Sequence, residues 1–229
     1  MSSELATKKP EYKLIFFNDA ADQDDLNIPW IQIFQSSSTY SIDGEDPEFG
    51  SITIDKRCLL AAPNTPLEVI PLQCEKFWFE ETPFNRNNPT GSENKVYTKE
   101  EMHELKKSSQ HKVQEAANIT MLIKHPESVD PTDFQMRIGD DHYGIFKIRV
   151  QKLAYKNVFK TLYTYQKFNP QGSLHDYVWS LSTHEITGGV TYHTAMISKA
   201  KRKGKDGKDE FFAPSKSVLK YLKEGILLK

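Results

Sequence analysis

The sequence predicts a mainly β fold, an antiparallel sheet or β-barrel with helical insertions, and three observations carry that expectation. Short runs of β-branched and aromatic residues recur between turn-rich loops and do not alternate with long helices. In His142–Val150, Phe146, Ile148 and Val150 alternate with Lys147 and Arg149, the period of two that marks a half-buried strand. Two further runs, Tyr177–His184 and Val190–Ser198, are joined by Glu185-Ile-Thr-Gly-Gly189, whose paired glycines suit a hairpin turn. No Pro/Gly/Ser-rich linker divides the 229 residues. One domain is therefore expected over residues 1–229, with a long insertion at about 82–117, a basic C-terminal flap and a short closing helix.

In chain order, Tyr12–Phe17 reads as a first strand, closed by the acidic loop Asn18–Asp25. Ile28–Phe34 resumes strand character, and Pro29 sets its start at a sheet edge. After the polar loop Ser36–Glu48, three more strands are expected over Phe49–Ile54, Leu67–Leu72 and Cys74–Phe79, with Pro63–Pro66 as a turn. Thr82–Tyr97 is polar and reads as a loop. Thr98-Lys-Glu-Glu101 fits a capping box, opening a helix that Met102, Leu105, Val113 and Ala116 extend to about Ala117. Asn118–Lys124 reads as a strand, and Ile138–Gly144 as a turn into the next. Over Leu153–Phe168, Tyr155, Val158, Phe159, Leu162 and Tyr165 form a helical face, which is preferred to the alternation that Phe159, Tyr163 and Tyr165 also allow. The closing helix is placed at Pro214–Leu222, bearing Val218, Leu219 and Leu222.

A hydrophobic share of 38% and an aromatic share of 11% supply a core. No apolar run approaches the roughly 18 residues of a membrane span, and Met1–Lys9 is not followed by the apolar segment of a signal peptide. A cytoplasmic protein with no membrane contact is expected, in the host cytoplasm if the source is viral. Cys58 and Cys74 lack a C-x-x-C spacing and are expected as reduced core thiols. A net charge of -1 hides an asymmetry: residues 1–94 carry -9, residues 95–146 carry -2 and residues 147–229 carry +10. Clustered cations gain from counterion release on meeting a polyanion. The other reading pairs the acidic and basic halves with each other.

Neither G-x-G-x-x-G nor a Walker A lysine motif nor a G-x-S-x-G elbow occurs, so ATP hydrolysis and common acyl transfer are not expected. His175, His184 and His193 recur every nine residues without the helical H-x-x-x-H pairing of a metal site. Asp140 and Asp141 beside His142 read as turn residues. No cofactor or metal is expected.

The candidate binding residues combine charge with rings. Lys147 and Arg149 lie on the polar side of their strand, Tyr177 and Trp179 on one face of theirs, and Tyr192 across the hairpin where it can join them. His193 is a candidate phosphate contact. Lys199, Lys201, Arg202, Lys203 and Lys205 form the basic flap. Exposed rings beside cations on a sheet are what single-stranded nucleic acid requires, because each base stacks while the backbone follows positive charge. The competing expectation is that Trp179 and its neighbours fill the core, the commoner fate of aromatic residues.

From about Ile28 to Ser198, the layout resembles phage-encoded single-stranded-DNA-binding proteins of the OB-fold type. The resemblance is carried by Phe49-Gly-Ser-Ile, Leu67-Glu-Val-Ile-Pro-Leu, Phe77-Trp-Phe79, the helix near Leu153–Phe168, and Tyr177-Val-Trp-Ser-Leu-Ser-Thr before a glycine turn and Tyr192. It implies an OB-like barrel and non-catalytic coating of single-stranded DNA in viral DNA replication or recombination, with proteins of those processes as partners. RNA meets the same physical requirements. Such proteins often end in an acidic recruiting tail, whereas this chain ends in Gly225-Ile-Leu-Leu-Lys229, which puts tail-mediated recruitment in doubt. Two other readings stay open: a viral structural or assembly protein whose opposite charges drive self-association into a homo-oligomer, and a metal-dependent nuclease.

Overall fold

A computed structural model describes residues 28–81, 94–127, 129, 131–134, 136–138, 141–188 and 191–200. The expected strand Tyr12–Phe17 with its acidic loop, most of the Thr82–Tyr97 loop, the helix at Pro214–Leu222, and Lys201, Arg202, Lys203 and Lys205 lie outside the described residues. Within them the fold is mainly β, with antiparallel sheets and few helices. Among the described residues no helix is long and apolar enough to cross a membrane.

A small antiparallel sheet comes first, of β1 (Ile31–Ile33), β2 (Ile52–Ile54) and β3 (Cys58–Ala61). Next is β4 (Leu67–Glu81), which fuses the two strands expected at Leu67–Leu72 and Cys74–Phe79. Its pairing register shifts between Pro71 and Gln73, and this bulge lets a residue without an N–H sit inside a long strand. A two-residue strand, β5 (Lys95–Val96), pairs with the end of β4.

The helix α1 (Lys99–Ser108) starts as expected, with Thr98 and Glu101 forming both bonds of the capping box. It ends well short of Ala117, because Ser109 turns to extended backbone and Val113 and Ala116 belong to β6 (Lys112–Lys124). From Glu81 opposite Lys112 onward, β6 pairs along β4. That ladder buries Ala116 and Ala117 completely, which overrides their helical spacing.

After β7 (Met136–Ile138), β8 (Asp141–Gln151) shows the expected alternation: Phe146, Ile148 and Val150 are buried, while Lys147 and Arg149 are half-buried on the other face. The chain then turns sharply at Lys152, whose φ is 53°, into α2 (Lys152–Ala154). A π-helical turn, Tyr155–Phe159, follows, and α3 (Lys160–Phe168) continues it. The expected helical face is correct, since Tyr155, Val158, Phe159 and Leu162 are buried. The final hairpin joins β9 (Trp179–Ile186) to β10 (Tyr192–Lys199), with Ile186 opposite Tyr192.

The large sheet runs in the order β10-β9-β4-β6-β8-β7. One core lies between its inner face, the small sheet and the helix, where Val69, Ile119, Met121, Ile148 and Leu181 meet Ile52, Ile54, Val158 and Leu162. The small sheet touches both flanks of the large one. Beside β8, the Lys147 N–H donates to the Pro29 carbonyl at 2.9 Å and Trp30 bridges Lys147 in parallel. Beside β10, the Gln35 side chain bonds both backbone groups of His193.

Candidate nucleic-acid interface

Where β1 spans from β8 to β10 there is a cleft of about 650 Å³. Its polar lining includes Trp30, Gln35, Arg149, Lys152, Tyr192 and His193, and its apolar lining includes Ile31, Ile33, Ile148 and Ala195. Lys147 and Arg149 project from the face of β8 opposite Ile148, and Arg149 lines the cleft at the strand edge. The Arg149 guanidinium is 5.2 Å from the centre of the Phe77 ring, and Lys95 is 6.0 Å from the same ring. Tyr97, 52% exposed, lies 6.1 Å from Phe77 centre to centre. Arg149 therefore lies beside Phe77 with Tyr97 beyond it, and Tyr192 lines the same cleft. Lys152 is paired with Glu81 at 2.6 Å, so its charge is shared.

His193 lines the cleft through its fixed backbone, while its ring rests on Gly50. A Cβ there would come within 2.3 Å of the imidazole, and Gly50 has a φ of +92°, so glycine is required twice over. This close packing fixes the half-exposed His193 ring beside Gly50 at the cleft.

The expected common face of Tyr177, Trp179 and Tyr192 does not exist. Trp179 lies opposite Lys199 and Tyr192 opposite Ile186, and the odd interval along β10 puts Trp179 and Tyr192 on opposite faces of the hairpin. Trp179 is only 1% exposed and is a core residue, not a stacking platform. Its indole N–H donates to the Leu174 carbonyl at 3.0 Å, and its ring meets Tyr165 edge-on at 5.1 Å. Phe146 is equally buried and packs against Phe134 at 5.3 Å.

Lys199 and Tyr177 form a separate cluster at the far end of β10. The Lys199 ammonium is 3.9 Å from the centre of the Tyr177 ring and 5.8 Å from that of Tyr165. A hydrogen bond with Tyr165, helped by burial, pushes the Tyr177 phenol above its ordinary range.

Sequence reasoning missed Trp30, Gln35 and Lys152. Trp30 and Gln35 gave no local signal, since they matter only because β1 crosses to β10. Lys152 was visible in one respect: from Lys147 to His175 the chain carries six Lys/Arg and no acidic residue. Comparison with protein-family models, curated proteins and solved structures finds no match to this chain.

Proposed function

We propose that this protein binds single-stranded DNA, without catalysis, in the cleft between β8 and β10 of an OB-type barrel. The strand order β10-β9-β4-β6-β8 supports the barrel reading, as does the helix between β8 and β9. A five-stranded, partly open barrel has this arrangement, and on that reading the small sheet bridges the opening. In such barrels oligonucleotides lie against the second and third strands and the loops after the first and fourth. Here those strands are β6 and β8, and those loops lead to β5 with Tyr97 and to β10 with Tyr192.

The observation that carries the reading is the meeting of Arg149 and Tyr192, from strands far apart in sequence, on one cleft with Trp30 and Lys152. Rings and cations in a recess serve unpaired bases, whose faces are free, and not a stacked duplex. RNA offers the same faces, and the biological setting that fits is DNA replication or recombination, with proteins of those processes as partners.

A mobility-shift comparison of single-stranded and duplex DNA of equal length tests the proposal. A shift with the single strand alone is expected, and equal shifts or none overturn it. Loss of the labelled strand on adding a divalent cation would favour a nuclease. Salt-sensitive self-association without nucleic acid would favour an assembly protein.

A further inference from the structure

We infer that the helix running from Lys152 through α3 carries a second track for the same single strand, continuing out of the cleft along Lys156, Lys160, Tyr163 and Lys167. This rests on the single-strand reading above. On α3, Lys160, Tyr163 and Lys167 recur at intervals of three and four, which at about 100° per residue sets them on one side, and Lys156 precedes them on the π-helical turn. All four are exposed, while Val158 and Leu162 on the opposite side are buried. Like charges four apart weaken a helix, and solvated faces ordinarily offset them with acids. Here no acid occurs anywhere from Lys147 to His175. A helix whose own sequence supplies only lysines suits a polyanion.

The rings argue for bases over an acidic peptide. Tyr155 and Phe159 stack at 4.9 Å with planes 18° apart, and Phe159 and Tyr163 at 6.1 Å with planes 16° apart. The ladder climbs from the core to Tyr163, which is 54% exposed. Each end carries cations: Lys76 and Lys160 are 5.8 and 5.7 Å from the Tyr155 ring, and Lys167 is 5.4 Å from Tyr163. Tyr163 is thus a surface ring backed by a nearly parallel one and approached by the Lys167 ammonium, a ring and a cation together such as a base and its phosphate require. Lys152 lines the cleft, so the track begins where the cleft ends.

The test uses the full chain and oligothymidylates, from lengths that fill the cleft alone to several times longer, followed by fluorescence anisotropy across a salt series. The triple variant Lys156→Ala, Lys160→Ala, Lys167→Ala should hold the shortest strand as the parent does. It should bind the long strands at least about tenfold more weakly and lower the logarithmic salt slope by about 2, from about 0.7 for each lost phosphate contact. The corresponding lysine-to-arginine triple should restore both values. Tyr163→Ala should weaken long strands without changing the slope. If the alanine triple matches the parent at every length while Arg149→Ala still weakens binding, the track is overturned, the cleft stands, and the lysines fall to an acidic protein partner. If the parent binds no single strand at all, both readings fall.

Discussion

Gln35 meets His193 as one strand meets another. Its carboxamide nitrogen donates to the His193 carbonyl at 2.7 Å and its oxygen accepts the His193 N–H at 3.0 Å. A side chain thus takes the place of a neighbouring strand on the outer edge of β10. Gln35→Ala leaves both backbone groups unpaired in a half-buried setting, and a loss of about 1 to 3 kcal/mol is expected for each group that water cannot reach. Gln35→Glu keeps the acceptor without the donor and should be intermediate by thermal melting. Equal melting temperatures for all three proteins would refute the edge role.

Arg149 and Tyr192 should separate binding from stability. Tyr192 is 41% exposed, so Tyr192→Ala should leave the melting temperature within a degree or two while costing about 1 to 3 kcal/mol of single-strand affinity. Arg149→Ala should weaken binding and flatten its salt dependence by about 0.7 in logarithmic slope. Full affinity in both variants would remove the cleft from consideration.

Tryptophan fluorescence distinguishes the cleft from the core. Trp30 lines the cleft, whereas Trp179 is sealed within the sheet. Quenching by single-stranded DNA should disappear in Trp30→Phe and persist in Trp179→Phe. Trp179→Ala should lower stability by about 3 to 5 kcal/mol, the range for emptied aromatic sites. Quenching that follows Trp179 would contradict this assignment.

Acid should destabilise the protein partly through His175. Burial depresses its imidazole pKa, and the nearby Asp176 charge opposes this only partly. Folding therefore favours the neutral ring, and below the ordinary histidine range the unfolded chain binds the extra proton. The stability it contributes is complete above that range and is lost as pH falls through it toward the depressed folded value. His175→Asn should show a shallower fall in melting temperature between neutral and mildly acidic pH, and a parallel curve would exclude His175 as a source.

Much of the fold could be read locally. The alternation in β8, the hairpin of β9 and β10, the capping box of Thr98 and Glu101, and the buried face of Tyr155, Val158, Phe159 and Leu162 all follow from spacings within a dozen residues. What could not be read depended on distant pairing. Ala116 joined a strand because β4 was there to pair with it, and Pro71 stayed within β4 because a bulge accommodated it. The candidate site divided along the same line. Arg149 and Tyr192 were legible from strand periodicity and composition, but the facing of Trp179 is set by register, where a shift of one residue exchanges core and solvent.

Desolvation of the Cys74 thiol makes the two thiols chemically unequal. It pushes the Cys74 pKa up to about 12, so almost no thiolate exists at neutral pH, although both cysteine side chains are half-buried. A thiol-directed reagent should therefore modify Cys58 first in the native protein and Cys74 more slowly, faster once the chain opens. The delay between the first and second equivalents of label becomes a clock for unfolding of the β4–β6 ladder, readable by mass without any engineered probe.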